Sequence, residues 1–364
     1  GWFISDDAGT PKKYCVPADT VIPAGGFVVF TETNFNPYPG LPSCFAFSSK
    51  GDEAFLFSAD EQGNLTGYLH GFEFGAADDE VSFGRYMDSL GGEHFVAQNT
   101  LTPGAGNTGP RVGPAVISEI MYHPFSLDAV ERARFEFVEV QNVTRNPVAL
   151  YDPAHPANNW RLRGGVDFDF PANTVLDAGA VLLVVGFDPV VDAPSLDSFR
   201  AAYNVAADVM ILGPWSGALN NAGERIELER PAPPVAGEVP DILVEVVRYR
   251  PAAPWPAEAD GTGASLQRLM ASAFGNDPTN WCAATPTPGI GSPVVFPPPE
   301  LTIDVSGVLS WPASDPDVIL QYADQLTETA QWREELSPRV TEGGRLKVVV
   351  PLDKGSRFYR LIRP

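Results

Sequence analysis

Few side chains in this sequence have the types and spacings that chemistry needs. The four histidines, His70, His94, His123 and His155, are far apart, and none forms a ligand-spaced pair of the kind a zinc site uses. Cys282 has no histidine near it in sequence to take its proton, which argues against a thiol nucleophile. Glu119, Glu136 and Glu139 make the best acid–base set. Yet Glu136 and Glu139 are three positions apart in a strand-like run, which turns them to opposite faces. A general acid and base must share one cleft with their pKa values pushed apart. The expectation is that all three are structural carboxylates accepting hydrogen bonds from backbone N–H groups, and that the chain is not an enzyme.

Other charged and aromatic positions are open to two readings. Asp6-Asp7 and Asp78-Asp79-Glu80 are acidic clusters in turns. Calcium takes oxygen ligands from such loops, but no calcium-loop spacing is present, so these five are weak calcium candidates beside the plainer reading of solvated turns. No other cofactor is implied. Arg85 and Arg268 recur at equivalent places, as guanidinium groups that pair a carboxylate, cap carbonyls or meet a ligand. Trp215, Trp255 and Trp281 lie in Gly/Pro-rich loops, where an indole can stack on a sugar or a partner, or close the end of a sandwich. Asn64-Leu-Thr66 and Asn142-Val-Thr144 are glycosylation sequons. Of the three cysteines, Cys15 and Cys44 are candidates for a disulfide that would stabilise by about 3–4 kcal/mol, and Cys282 has no evident mate.

The elements that must hold these residues are set by an internal repeat. Pro171-Ala-Asn-Thr-Val-Leu-Asp-Ala-Gly-Ala-Val-Leu-Leu-Val-Val185 restates Pro17-Ala-Asp-Thr-Val-Ile-Pro-Ala-Gly-Gly-Phe-Val-Val-Phe30. Both read as strand, tight turn, buried strand, with Phe27–Phe30 the apolar strand of the first. Trp160 answers Trp2, Ala218–Leu228 answers Ala46–Leu56, Ala264–Leu269 answers Val81–Tyr86, and Thr287-Pro-Gly289 answers Thr102-Pro-Gly104. The glycines after Thr-Pro precede no helix and mark turns, not phosphate cradles. A hairpin is expected over Phe45–Phe57, turning at Lys50-Gly-Asp52, and the insertions between landmarks are read as loops. Short apolar runs punctuated by single Gly and Pro, with few helix signals, make the class all-β.

The expected order is a first copy at 1–110, a second at 115–292, a proline-rich linker at 293–299 and a small β-sandwich at 300–364. Trp311 and Trp332 are expected in the core of the last. The second copy carries Ala115–Asn158 ahead of its Trp160, and the first has no counterpart of that stretch. The first copy is therefore expected to be completed by a strand from upstream in a longer chain or from a neighbouring subunit. The formal charge of −22 argues against a nucleic-acid partner, and no apolar run approaches membrane-span length.

Ile117-Ser-Glu-Ile-Met, Glu136-Phe-Val-Glu-Val-Gln-Asn142, Trp160-Arg-Leu, the Thr174–Val185 hairpin and Gly223-Glu-Arg-Ile-Glu-Leu, in that order, resemble the lamin tail domain. Ser118 stands where that family commonly has Asn. The resemblance implies tandem immunoglobulin-like β-sandwiches of the bacterial secreted or cell-surface type. The last segment resembles, more loosely, a fibronectin-like domain. The function implied is a non-enzymatic structural or binding module, outside the cell or on its surface, with a protein or glycan partner. Two alternatives stand beside it: a self-associating fibre subunit completed by strand donation, and a carbohydrate-binding accessory region of a secreted hydrolase.

Overall fold

A computed structural model describes residues 1–125, 128–294, 300–313, 318–327, 330–343, 345–350 and 356–362. Nearly all of the expected linker falls outside them. The chain divides into two compact units, Gly1–Pro293 and Val294–Pro364, so both repeat copies share one unit. Both units are almost entirely β. No helix among the described residues is long and apolar enough to cross a membrane.

In the first copy, β1 (Phe3–Ser5), β2 (Tyr14–Cys15), β3 (Gly51–Ala59) and β4 (Leu65–Gly75) form a sheet in the order β2–β1–β3–β4, with the short helix α1 (Glu32–Phe35) between β2 and β3. A separate hairpin joins β5 (Phe83–Met87) to β6 (Glu93–Ala97). Aromatic rings line the space between, with exposed Phe47 and half-buried Phe74, Phe83 and Phe95 in successive contact.

The second copy is thicker. It opens with β7 (Ala115–Met121), α2 (Ala129–Phe135) and β8 (Phe137–Asn142). Short ladders pair β9 (Val148–Ala149) with β14 (Val175–Leu176), and β10 (Tyr151–Asp152) with β11 (His155–Asn159). One main sheet contains β12 (Arg161–Gly164), β13 (Val166–Asp169), β17 (Ser216–Gly217), β18 (Glu224–Pro231) and β19 (Asp241–Tyr249), in the order β17–β13–β12–β18–β19. The other adds β15 (Val181–Val185), β16 (Met210–Leu212), β20 (Ser265–Arg268) and β21 (Trp281–Ala284), in the order β16–β15–β8–β7–β20–β21. Every residue of β7 and β8 is buried, the pattern of strands covered on both faces. One face packs into the core between the sheets, around Ile117, Val140, Leu162, Leu182 and Leu228. The other carries Phe137, Leu183 and Val185 against Phe199 of α3 (Ala193–Tyr203).

The two copies share their strand registers. Phe3, Ile4 and Ser5 face Phe57, Leu56 and Phe55, as Arg161, Leu162 and Arg163 face Glu229, Leu228 and Glu227. Leu56 faces His70 as Leu228 faces Glu245. Arg85 faces Phe95 as Arg268 faces Trp281. Gly51 and Gly223, with φ of 111° and 99°, open β3 and β18, and a Cβ on either would stand 2.8 Å from the carbonyl oxygen of Phe74 or Tyr249. Only glycine fits that turn twice over.

Three sequence expectations need correction. Phe27–Phe30 enters no ladder, although its counterpart β15 pairs with β8 along its whole length. A strand exists through its neighbour's backbone, and the first copy holds no counterpart of β8. The Phe45–Phe57 hairpin is half formed: Gly51–Ala59 is a strand, pairing with β1 and β4, but residues 45–50 are not. The second copy's insertion contains α3 where loop was expected. Its start was legible, with Asp192 accepting from the Ser195 backbone N–H and hydroxyl and Pro194 in the first turn. Asn204, left-handed at φ 54°, ends it.

The second unit has β22 (Thr302–Ile303), β23 (Val308–Pro312), β24 (Ile319–Ala323), β25 (Arg333–Glu334), β26 (Arg339–Glu342), β27 (Arg345–Val349) and β28 (Phe358–Ile362). Its sheets run β22–β23–β27–β26 and β25–β24–β28. Trp311 lies in its core with Leu309, Leu320 and Val348. Trp332 does not: it is half-buried, with the Arg360 guanidinium 4.1 Å from its ring centre.

Candidate functional site

A buried polar construction lies on β7 and β8. A register irregularity between Ile117 and Glu119 brings Glu119 opposite Glu139. Facing positions of an antiparallel pair share a side of the sheet, so the two carboxyl groups stand together, an arrangement that costs energy unless donors offset it. Donors are supplied by Ser118 of β7, by the strand β20 and by the segment that follows β21. Glu119 accepts from the Ser265 hydroxyl at 2.5 Å and the Thr287 backbone N–H at 3.0 Å. Glu139 accepts from the Ser118 hydroxyl and the Gly289 backbone N–H, each at 2.6 Å. Two residues along β8, Gln141 accepts from the Ser292 N–H at 2.8 Å and donates to its carbonyl at 3.0 Å. Thr287–Ser292 is thus fastened along the strand pair by three side chains.

Glu119 and Glu139 are 2% and 1% exposed. Burial pushes Glu119 above the usual carboxylate range. Burial, with Glu119 alongside, pushes Glu139 up to about 7 against the lowering effect of the Ser118 hydroxyl. Glu136 stands apart from both, just before β8, where it accepts from the Leu219 backbone N–H at 3.3 Å, and burial raises it to about 7. Chemically the ladder holds backbone amides and can keep a proton close to neutral pH.

A second construction ties β7 to the opposite sheet. Glu245 accepts from the Ile117 N–H at 2.5 Å and from Arg268 Nη1 at 2.6 Å. Arg268 also donates to the carbonyls of Ile117 at 3.1 Å, Ala273 at 2.5 Å and Met270 at 3.3 Å. Burial raises the Glu245 carboxyl and the Arg268 charge opposes that rise. A fully hydrogen-bonded buried pair of this kind is costly to break by removing either partner.

The equivalent of Arg268 in the first copy is far more open. Arg85, 56% exposed, pairs with Glu93, and His70 Nε2 lies 3.2 Å from the same Glu93 oxygen. His70 occupies the register position of Glu245. The carboxylate has moved from β19 in one copy to β6 in the other.

The remaining candidates disperse. Trp215, Trp255 and Trp281 are 7%, 5% and 4% exposed, so they are core side chains and not a binding platform. Trp281 Nε1 donates to the Gly275 carbonyl at 2.7 Å, and its ring centre lies 6.0 Å from that of Trp255. The expected disulfide is not formed: Cys15 is exposed, Cys44 half-buried, and both thiols are free. Cys15 lies on the edge strand β2 with its thiol 3.6 Å from the Val16 carbonyl. Among the described residues no group of three or more His, Cys, Asp or Glu side chains is arranged to hold a metal. Asp6 pairs with Lys13 at 2.5 Å, Asp7 accepts from the Gly9 N–H, and Asp78 pairs with Arg230 of the second copy. Asp79 and Glu80 occupy a surface turn, Glu80 in the left-handed region at φ 64°. Asn142 is fully buried, its amide donating to the carbonyls of Asn146, Leu176 and Asp177, so that sequon is closed to a glycan.

No family model, curated protein or solved structure matches the chain.

Sequence reasoning singled out Arg268 but missed its partner Glu245 and the donors Ser265, Thr287 and Gly289. The repeat gave no help with Glu245, because its counterpart is a histidine. Thr287-Pro-Gly289 was visible as a repeated turn, and its backbone amides are what the glutamates hold.

Proposed function

We propose that this chain is a non-catalytic structural or binding module of a secreted or cell-surface protein, built of lamin-tail-like β units. One observation carries the reading: the buried carboxylates Glu119, Glu136, Glu139 and Glu245 each terminate on a backbone N–H of a neighbouring segment. Such groups fasten strands and loops together. The wall of a sandwich so fastened presents a rigid surface, and its loops are free to vary. The carbohydrate-binding alternative loses its support with the burial of the three loop tryptophans. Strand donation keeps a specific observation in its favour, the exposed apolar side chains Ile22, Phe27 and Val29 of the first copy.

Hydrogen exchange on Glu119→Gln and Glu139→Gln chains, alongside turnover assays, tests the proposal. The Thr287 and Gly289 amides are expected to be protected in the native chain and to exchange faster in the variants. Hydrolysis of an ester, glycoside or phosphodiester by the pure chain, abolished by either substitution, would overturn the reading.

A further inference from the structure

We propose that the Thr287–Ser292 segment is a proton-locked clasp. It is held across β7 and β8 while Glu119 and Glu139 share a proton, and it is released when both carboxyls ionise, which lengthens the connection into the second unit. The inference rests on the module reading above and adds a regulation to the same fastening.

Polar bonds, more than apolar burial, hold the segment. Only Pro288 in it is buried, and Ile290 is 73% exposed. Besides the bonds to the two glutamates, Gln141 grips the Ser292 backbone with both ends of its amide. The Ser292 hydroxyl donates to the Ser118 carbonyl at 3.4 Å, and the Pro293 carbonyl accepts from the Ala271 N–H at 3.0 Å. Gly289 and Gly291 lie in a slot too narrow for a side chain. A Cβ on the first would stand 2.8 Å from Val209 Cγ2, and on the second 2.8 Å from Gln141 Nε2. Both are left-handed, at φ 95° and 75°. Glycine loses the most conformational freedom on being seated, so the segment regains it on release. The second unit opens directly after Pro293, and each residue freed adds up to about 3.5 Å to the reach of the connection.

The facing of the two carboxyls makes this fastening sensitive to protons. Glu119 and Glu139 are register partners in β7 and β8. Residues so placed have Cβ atoms roughly 5 Å apart, and two buried carboxyls that close do not both ionise cheaply. None of the groups bonded to either one is a cation. Glu119 meets the Ser265 and Thr287 hydroxyls, the Gln267 amide and the Thr287 N–H. Glu139 meets the Ser118 hydroxyl and the Gly289 N–H. A proton has a place to sit: on Glu139 Oε1 it points at Ser118 Oγ, whose own hydrogen then turns to the Glu139 carbonyl at 3.4 Å. The Thr287 and Gly289 amides keep their acceptors in that state.

The charged and titratable groups around the pair do not relieve it. Cys282 of β21, opposite Gln267, has its thiol pushed up by burial and by Glu119. Tyr203 of α3 donates to the Phe135 carbonyl at 2.9 Å and is pushed up by burial, then by Glu119 and Glu136. Both are neutral where the glutamates titrate. Glu136 is bound to the Leu219 N–H and adds only negative charge. Arg268 is committed to Glu245 and three carbonyls, and Arg200 of α3 to the carbonyls of Ala206 and Val209. β15 brings the uncharged Val181 against Gly291. Loss of the shared proton therefore sets two facing anions beneath the clasp, and lifting the clasp admits the water that solvates them. Burial and Glu119 hold the Glu139 carboxyl at about 7, so the clasped state is favoured below that pH and weakens as pH rises through it.

The test is amide hydrogen exchange of the full chain at about pH 6 and about pH 8.5, expressed as protection relative to free amides. Protection of Thr287 and Gly289 should fall at least about tenfold between the two, since each pH unit above the titration favours the released form by up to about tenfold. Leu183 and Val184 of β15 should stay at least about tenfold better protected than the clasp at the higher pH, the mark of a local opening. In a Glu139→Gln chain, whatever its level, protection of the clasp should change less than about threefold. Glu119→Gln serves the same purpose if that variant does not fold. Small-angle scattering should show the radius of gyration of the native chain rising over the same interval. Protection independent of pH, an equal fall in the glutamine variants, loss in step with Leu183 and Val184, or release with no larger radius overturns the proposal. Each of these leaves the module reading standing, whereas Thr287 and Gly289 unprotected at every pH would remove both.

Discussion

Leu183 and Val29 occupy the same place in the same repeated phrase, and one is wholly buried while the other is half in solvent. Arg268 and Arg85 likewise share a register position, one sealed against Glu245 and three carbonyls, the other on the surface with Glu93. What separates the copies is the strand pair β7–β8 and the helix α3, which carries Phe199 against Leu183, both found in the second copy and neither among the described strands and helices of the first. Beside β8 an apolar tetrapeptide becomes a strand, between β7 and Glu245 a guanidinium becomes buried, and along Glu119 and Glu139 a turn becomes fastened. The comparison teaches that these residues take their roles from a non-local partner, not from their own identity.

The largest expected effect lies at the arginines. Arg268→Ala should cost about 3–5 kcal/mol in chemical denaturation of the first unit, since it strands Glu245 in the core. Arg85→Ala should cost less than about 1 kcal/mol, as exposed pairs do. Equal costs would break the comparison. Next come the twin apolar positions. Leu183→Ala should cost about 2–5 kcal/mol and Val29→Ala less than about 0.5 kcal/mol by the same measurement.

The pH profile comes third. Glu136 and Glu139 have folded pKa values raised from 4.5 to about 7, so their neutral forms suit the folded state. Their contribution is fully present below about pH 4.5 and is lost as pH rises through about 7, at roughly 3 kcal/mol or less for each group. Thermal midpoints of the first unit should therefore fall between pH 5 and 8, and Glu139→Gln should flatten part of that slope. A flat profile in the native chain would remove the buried-proton account of the ladder. The smallest effect is at the thiols: Cys15→Ser, or added reductant, should leave stability within about 0.5 kcal/mol, against the several kcal/mol of a disulfide.

Much of the fold was legible beforehand. Gly51 and Gly223, the Trp2 and Trp160 strands and the Arg85 and Arg268 strands were aligned by their residues alone, and the matching registers follow. The candidate site was half legible. The three glutamates and both arginines stood out as charges in apolar runs, but the Trp215, Trp255 and Trp281 contexts read as loops and left open whether the rings stack on a partner or close the end of the sandwich.

The sequence by itself determined that the chain is β, that a unit is duplicated in it, and which residues of the two copies correspond. These are local properties, written in alternation, turn residues and repetition. Only the tertiary structure decided that Glu245 answers Arg268, that Glu119 and Glu139 face each other, and that Phe27–Phe30 stays out of the sheet while Val181–Val185 enters it. A β ladder and a buried ion pair each need a second segment distant in sequence, and whether that segment arrives is settled in space.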